Sequence, residues 1–258
     1  MAQSAELQEA HLWQREWWRT TPADRPDRTP WPELAVLAVL IIWNLTANLL
    51  VQDALEVPTN VLGAGLLVVI ARSASFSWEQ LGLDRRRLAT AARVGAVAAG
   101  LIVAAVALLA LVPAAREGLA DERFVGVDGA EVAYDVLIRI PIATALGEEI
   151  AFRGVVLGML LAWTSPFRAT LLTSLLFGLW HIAPGLAALD TTAVDVGDGS
   201  VVEAGAVAGQ VLLTGLAGVI FCWLRLRGRH VLAPSLAHWA LNGAALLAGW
   251  LIVQNGWV

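Results

Sequence analysis

The chain has 258 residues, of which 58% are hydrophobic and 15% charged, and it carries a net charge of -5. That mixture excludes an ordinary soluble domain, and weakly acidic charge spread over connecting segments excludes nucleic acid as a partner. A single cysteine, Cys222, set in an apolar run, leaves no disulfide framework and no thiolate metal cluster, and predicts a packing role.

Residues 1–32 read as a cytoplasmic lead-in. Trp13, Trp17 and Trp18 among Arg15, Glu16 and Arg19 predict a short helix lying in a membrane surface, and Pro22, Pro26, Pro30 and Pro32 interrupt regular structure after it. The apolar run comes too late for a cleavable signal peptide. A membrane span requires about 20 largely apolar residues. Candidates are Glu33 to Val51, Pro58 to Ala71, Ala91 to Val112, Val132 to Leu161, Ala169 to Leu189, Ala204 to Leu224 and Val231 to Val253. The second is short. The fourth is too long for one upright crossing and is expected to tilt, break or begin at the interface. The predicted fold is an all-α, polytopic membrane bundle of about seven to eight helices. Residues 33–130 form an N-terminal group of spans and residues 131–258 a second, functional group.

Basic residues mark the cytoplasmic side, and all of them here are arginine. With the N-terminus inside, the cytoplasmic segments hold Arg15, Arg19, Arg25, Arg28, Arg72, Arg85, Arg86, Arg87, Arg93, Arg168, Arg225, Arg227 and Arg229, against Arg116 and Arg123 outside. The expected location is the inner membrane of a bacterium, multi-pass, with a cytoplasmic N-terminus. Trp31, Trp163, Trp223 and Trp250 fall near span ends, where amphipathic rings anchor at headgroup level.

Strongly polar groups at bilayer depth are costly and mark function by default. Here they are Arg139, Glu148, Glu149 and Arg153 in the fourth span, His181 in the fifth, Gln210 in the sixth, and His238 and Asn242 in the seventh. Asn44 and Asn48 in the first span read as interhelical hydrogen-bond glue. Glu149 and Arg153 are four apart, a spacing that pairs a carboxylate with a guanidinium on one helix face. Glu148 is turned from Glu149 by about 100°, so one carboxylate can be held while its neighbour faces a cavity and takes a proton from water. His238 and Asn242 also share a face, and an imidazole and an amide can stabilise an oxyanion. At 1.5 Å per residue, Glu148 and His181 lie roughly 20 Å and His238 roughly 12 Å from the cytoplasmic ends of their spans. His230 reads as interfacial and His11 as solvated. Taken singly, Glu149 with Arg153 also reads as a structural lock, and either deep histidine as an ordinary hydrogen-bonding group. Their combination on separate spans points to hydrolysis.

Glu148-Glu149-Ile150-Ala151-Phe152-Arg153-Gly154, Phe177-Gly178-Leu179-Trp180-His181 and His238-Trp239-Ala240-Leu241-Asn242 resemble, in order, the three signature motifs of the CPBP (CAAX protease and bacteriocin-processing, or Abi) intramembrane proteases, which include the type II CAAX prenyl endopeptidases. The likeness runs roughly from Val132 to Leu247, with Leu81-Gly82-Leu83 before a basic run as a weaker feature. It implies a helical bundle around a cavity open to the cytoplasmic leaflet. Glu148 would be the general base, assisted by His181, with Glu149 and Arg153 holding it in place and His238 and Asn242 stabilising the oxyanion. The implied partners are the bilayer and a membrane-anchored or lipidated peptide or protein. Zinc on Glu148, His181 and His238 stays open beside a metal-free glutamate mechanism, although the His-Glu-x-x-His motif of common zinc peptidases is absent. Arginine without lysine suggests a high-GC bacterium, in which bacteriocin-processing or immunity roles compete with prenylated substrates. Other classes fit the same charges: an ion- or proton-coupled transporter, or a proteolytically idle scaffold.

Overall fold

The computed structural model describes residues 30–51, 53–120, 124–189 and 200–257. His11, the predicted surface helix around Trp13 and most of the acidic segment that follows Leu189 lie outside the described residues. Among them there are eight helices and no strand: α1 Trp31–Leu49, α2 Asp53–Ser73, α3 Leu88–Leu111, α4 over residues 129–161, α5 Pro166–Trp180, α6 Ile182–Leu189, α7 Ser200–Gly228 and α8 Leu232–Gln254. Single turns at Arg85–Arg87 and Pro113–Arg116 flank α3.

Local chemistry explains several boundaries. Asp128 starts α4 by accepting from the backbone N–H groups of Ala130 and Glu131, and Ser165 starts α5 by accepting from Arg168 with Pro166 following; both satisfy orphan donors of a first turn. Six stretches are long and apolar enough to cross a bilayer: α1, α2, α3, α5 running on into α6, α7 and α8. The chain is a multi-pass membrane protein. The second span, expected to be short, takes in the polar Asp53–Glu56 lead-in and reaches 21 residues.

The fourth span is not among those six, because it is wound in short pieces. Asp135–Leu146 and Ile150–Val156 are π-helical, separated by one α-turn at Gly147–Glu149. The Gly147 N–H reaches back to Ile142 O, and Pro141, which has no N–H to donate, lies inside the first π stretch. π-turns are uncommon and concentrate at functional sites; here they flank the acidic pair. The fifth span, expected as one helix from Ala169 to Leu189, breaks at His181 into α5 and α6.

Small residues let the helices approach closely. A Cβ on Gly95 of α3 would stand 2.8 Å from Ala233 O at the start of α8, and one on Gly178 of α5 would stand 2.6 Å from Val211 O of α7. At one end of the bundle the loop after α2 wedges between α4 and the α7–α8 turn. Gly82 O accepts from Val231 N at 2.9 Å, Arg225 donates to Gln80 O at 3.1 Å, and a Cβ on Gly158 of α4 would stand 2.7 Å from Gln80 O. Gly82 is required there: its φ is +67°, and any Cβ would fall 2.0 Å from Nε of Arg225. At the opposite end, Trp250 and Gln254 of α8 donate to Val127 O at 3.0 Å and Phe124 O at 3.1 Å.

Candidate active site

The acidic pair occupies the α-turn between the two π stretches, and the structure gives its carboxylates different surroundings. Glu149 is fully buried. Its Oε1 accepts from Arg153 at 2.9 Å and from Nδ1 of His238 at 3.1 Å. Arg153 is also fully buried, and its guanidinium lies 4.0 Å from the ring centroid of Phe177, 5.2 Å from Phe221 and 5.9 Å from Phe152. Its Nε and second terminal nitrogen have no hydrogen-bond partner among the described residues, so three aromatic faces replace the missing acceptors. A buried pair is worthwhile only where such additional contacts offset desolvation.

Glu148 stands apart from this lock. It is half-buried. Its Oε1 accepts from the indole N–H of Trp180 at 3.3 Å, while Oε2 is shielded and has no partner among the described residues. Trp180 is the last residue of α5, and His181 ends that helix at the break. Chain breaks at bilayer depth are tolerated where the freed backbone groups find partners. Here Asn44 of α1 donates to Trp180 O at 3.0 Å, and His181 Nδ1 meets Phe177 O at 2.8 Å. Because a carbonyl only accepts, Nδ1 carries the proton in that contact, leaving Nε2 of a neutral His181 as an acceptor.

His238 is nearly buried on α8, stacked on Phe221 with centroids 5.0 Å apart and planes at 25°. Phe177 stands edge-on to both histidines, 4.6 Å from His181 and 6.1 Å from His238. Four helices therefore converge on one aromatic-lined, charged cluster: α4, α5, α7 and α8. Asn242 lies one turn beyond His238, half-buried, and makes no side-chain hydrogen bond among the described residues.

Other residues singled out in the sequence go elsewhere. Arg139 forks onto Asp135 at 2.6 and 2.7 Å and reaches Glu56 of α2 at 3.2 Å, clamping α4 to α2. Gln210 is exposed on α7, near Gly185 of α6. Cys222 packs, buried, 4.0 Å from Ser174 Oγ. His230 is buried in the α7–α8 turn and accepts from Leu232 N at 3.0 Å through Nδ1; burial first, then Arg225, holds its pKa below the ordinary value.

Two participants escaped the sequence reading. Trp180 was only the neighbour of His181 in a motif, and Phe221 sits on the span that offered only Gln210; an aromatic at bilayer depth carries no signal that separates site from core. Among the described residues no three His, Cys, Asp or Glu side chains gather closely enough to hold a metal ion.

No curated protein and no solved structure matches the chain. Residues 132–244, the stretch that runs from the start of α4 past Asn242, match the family model described as type II CAAX prenyl endopeptidase Rce1-like. That region, which holds Glu148, Glu149, Arg153, His181, His238 and Asn242, is the part of the chain that is similar to the Rce1-like type II CAAX prenyl endopeptidases, consistent with a CPBP-type intramembrane protease.

Proposed function

We propose that the protein is an intramembrane endopeptidase in which Glu148 activates water against a peptide bond of a membrane-anchored or lipidated substrate. The observation that carries this reading is the division of labour between adjacent carboxylates: Glu149 is fully buried with Oε1 taking both Arg153 and His238, whereas Glu148 is half-buried and stands outside that ion pair, held only through Trp180 among the described residues. Residues 131–258 form the catalytic part and residues 33–130 the supporting spans, in the inner membrane of a bacterium with the N-terminus in the cytoplasm. That orientation is supported by Arg85–Arg87, Arg225, Arg227 and Arg229 sharing one end of the bundle through the contact of Gly82 with Val231.

In this mechanism Oε2 of Glu148 takes a proton from water as the water oxygen bonds to the scissile carbonyl carbon. Collapse of the tetrahedral intermediate breaks the C–N bond, and the proton passes from Glu148 to the departing amine. Nε2 of His181, an acceptor in the neutral ring, orients the attacking water. The Asn242 amide donates to the oxyanion. His238 donates as well when it is an imidazolium, since a neutral ring with its proton on Nδ1 toward Glu149 offers Nε2 only as an acceptor.

The test is reconstitution in proteoliposomes with a panel of prenylated and transmembrane peptides, comparing wild type with Glu148→Ala, His181→Ala, His238→Ala and Asn242→Ala, with and without chelator. Cleavage by wild type and its loss in the first three variants is the expected result; equal cleavage by all of them overturns the assignment. Chelator loss reversed by zinc would replace the glutamate mechanism with a metal-assisted one. Proton-linked flux through vesicles without cleavage would favour the transporter reading.

A further inference from the structure

We propose that Trp180 is the positioning residue of Glu148, and that Asn44 of the first helix holds Trp180 in place. This rests on the reading of Glu148 as the group that activates water. The indole N–H is the one hydrogen-bond donor to the Glu148 side chain among the described residues, at 3.3 Å from Oε1. A carboxylate on a single flexible side chain samples several rotamers; one fixed oxygen selects among them and leaves Oε2, which has no partner among the described residues, as the oxygen available to take a proton.

Trp180 is itself over-determined. Its ring meets Trp43 edge-on at 5.1 Å and Phe152 at 5.5 Å, and its carbonyl is held by Asn44 at 3.0 Å. Trp43 in turn donates to Asn60 of α2 at 2.7 Å, and a Cβ on Gly147, beside Glu148, would come within 3.8 Å of that same asparagine. The first two helices, outside the region that matches the family, thus reach the carboxylate through a continuous set of contacts. The outer face of Trp180 closes an apolar cleft of about 250 Å³ that Ile41, Asn44, Phe152 and Leu176 also line. An apolar chain pressing into that cleft meets the indole that holds Glu148.

Two measurements test this, and they fail separately. Trp180→Phe keeps the ring and removes the donor, while Asn44→Leu removes the hold on Trp180 O; each is first checked for an unchanged unfolding midpoint. With a prenylated CAAX peptide as probe in proteoliposomes, both variants lower kcat about 10-fold with KM within about a factor of two, and Glu148→Ala abolishes cleavage. Wild-type kcat in Trp180→Phe beside an inactive Glu148→Ala overturns the positioning role and leaves the Glu148 reading intact. The second measurement needs no cleavage: in protein with ¹⁵N-labelled indoles, the Trp180 N–H resonance, identified by its absence in Trp180→Phe, moves upfield by more than its linewidth in Glu148→Ala. A resonance that stays in place overturns the proposal whether or not the peptide is cut.

Discussion

Two of the Glu–Arg clusters among the described residues, one within a single helix and one joining positions far apart in sequence, differ sharply in setting. In the interior, Glu149 and Arg153 are 0% exposed and joined by His238. At the end of the bundle, Glu79 meets Arg229 at 2.6 Å and Arg87 at 3.5 Å with its side chain 30% exposed. The interior cluster is far costlier to assemble, because desolvation must be offset by aromatic faces and a second donor. Water and counter-ions share the load at the end of the bundle. The same pairing thus fixes a site in one place and fastens a loop in the other.

The widest contrast is expected between the two neighbouring carboxylates. Glu148→Gln should reduce cleavage about 10²–10⁴-fold with little change in unfolding midpoint, since Glu148 has one hydrogen bond to lose. Glu149→Gln should instead destabilise the protein by about 3–5 kcal/mol, because it strands a buried guanidinium; thermal unfolding in detergent reads this. A variant destabilised at Glu148 and stable at Glu149 would reverse the assignment. Replacing both members of the lock, Glu149→Leu with Arg153→Met, should recover much of the stability lost in Glu149→Gln, since the pair is then removed rather than broken. At the bundle end, Glu79→Gln should cost about 1 kcal/mol or less at low salt and less again at high salt, read as the salt dependence of the midpoint. The smallest effect concerns His230. Its folded pKa lies below the ordinary 6.5, so stability is intact above about 6.5 and declines as pH falls below that value, when protonation favours the unfolded chain and removes the acceptor used by Leu232 N–H. His230→Gln should flatten that acid slope.

What the sequence disclosed followed the length scale of its signals. Long apolar windows gave α1, α3 and α8 nearly at their observed limits and the apolar middle of α7, and the spacing of Glu149 and Arg153 gave their ion pair, because both are properties of one helix. Contacts between helices were another matter. His238 shares a face with Asn242, yet its Nδ1 is spent on Glu149, 89 positions away. Asn44 was read as general glue and turns out to hold one carbonyl, that of Trp180, 136 positions away. The break at His181 left no mark in hydropathy, since Ile182 to Leu189 is as apolar as the helix before it.

The winding of α4 bears on how such a chain can change over generations. Each π-turn accommodates one residue more than an α-turn would, so the stretch from Asp135 to Leu146 is a standing insertion. Deleting a single residue there would relax one π-turn into ordinary α winding and leave the helix beyond it facing much as before. The same deletion in the regular α winding of Gly129–Tyr134 has no bulge to remove and would turn everything beyond it by about 100°, so that Glu148 would leave Trp180 and Glu149 would leave His238. The π stretch is thus the part of α4 whose length can change with the site kept in place.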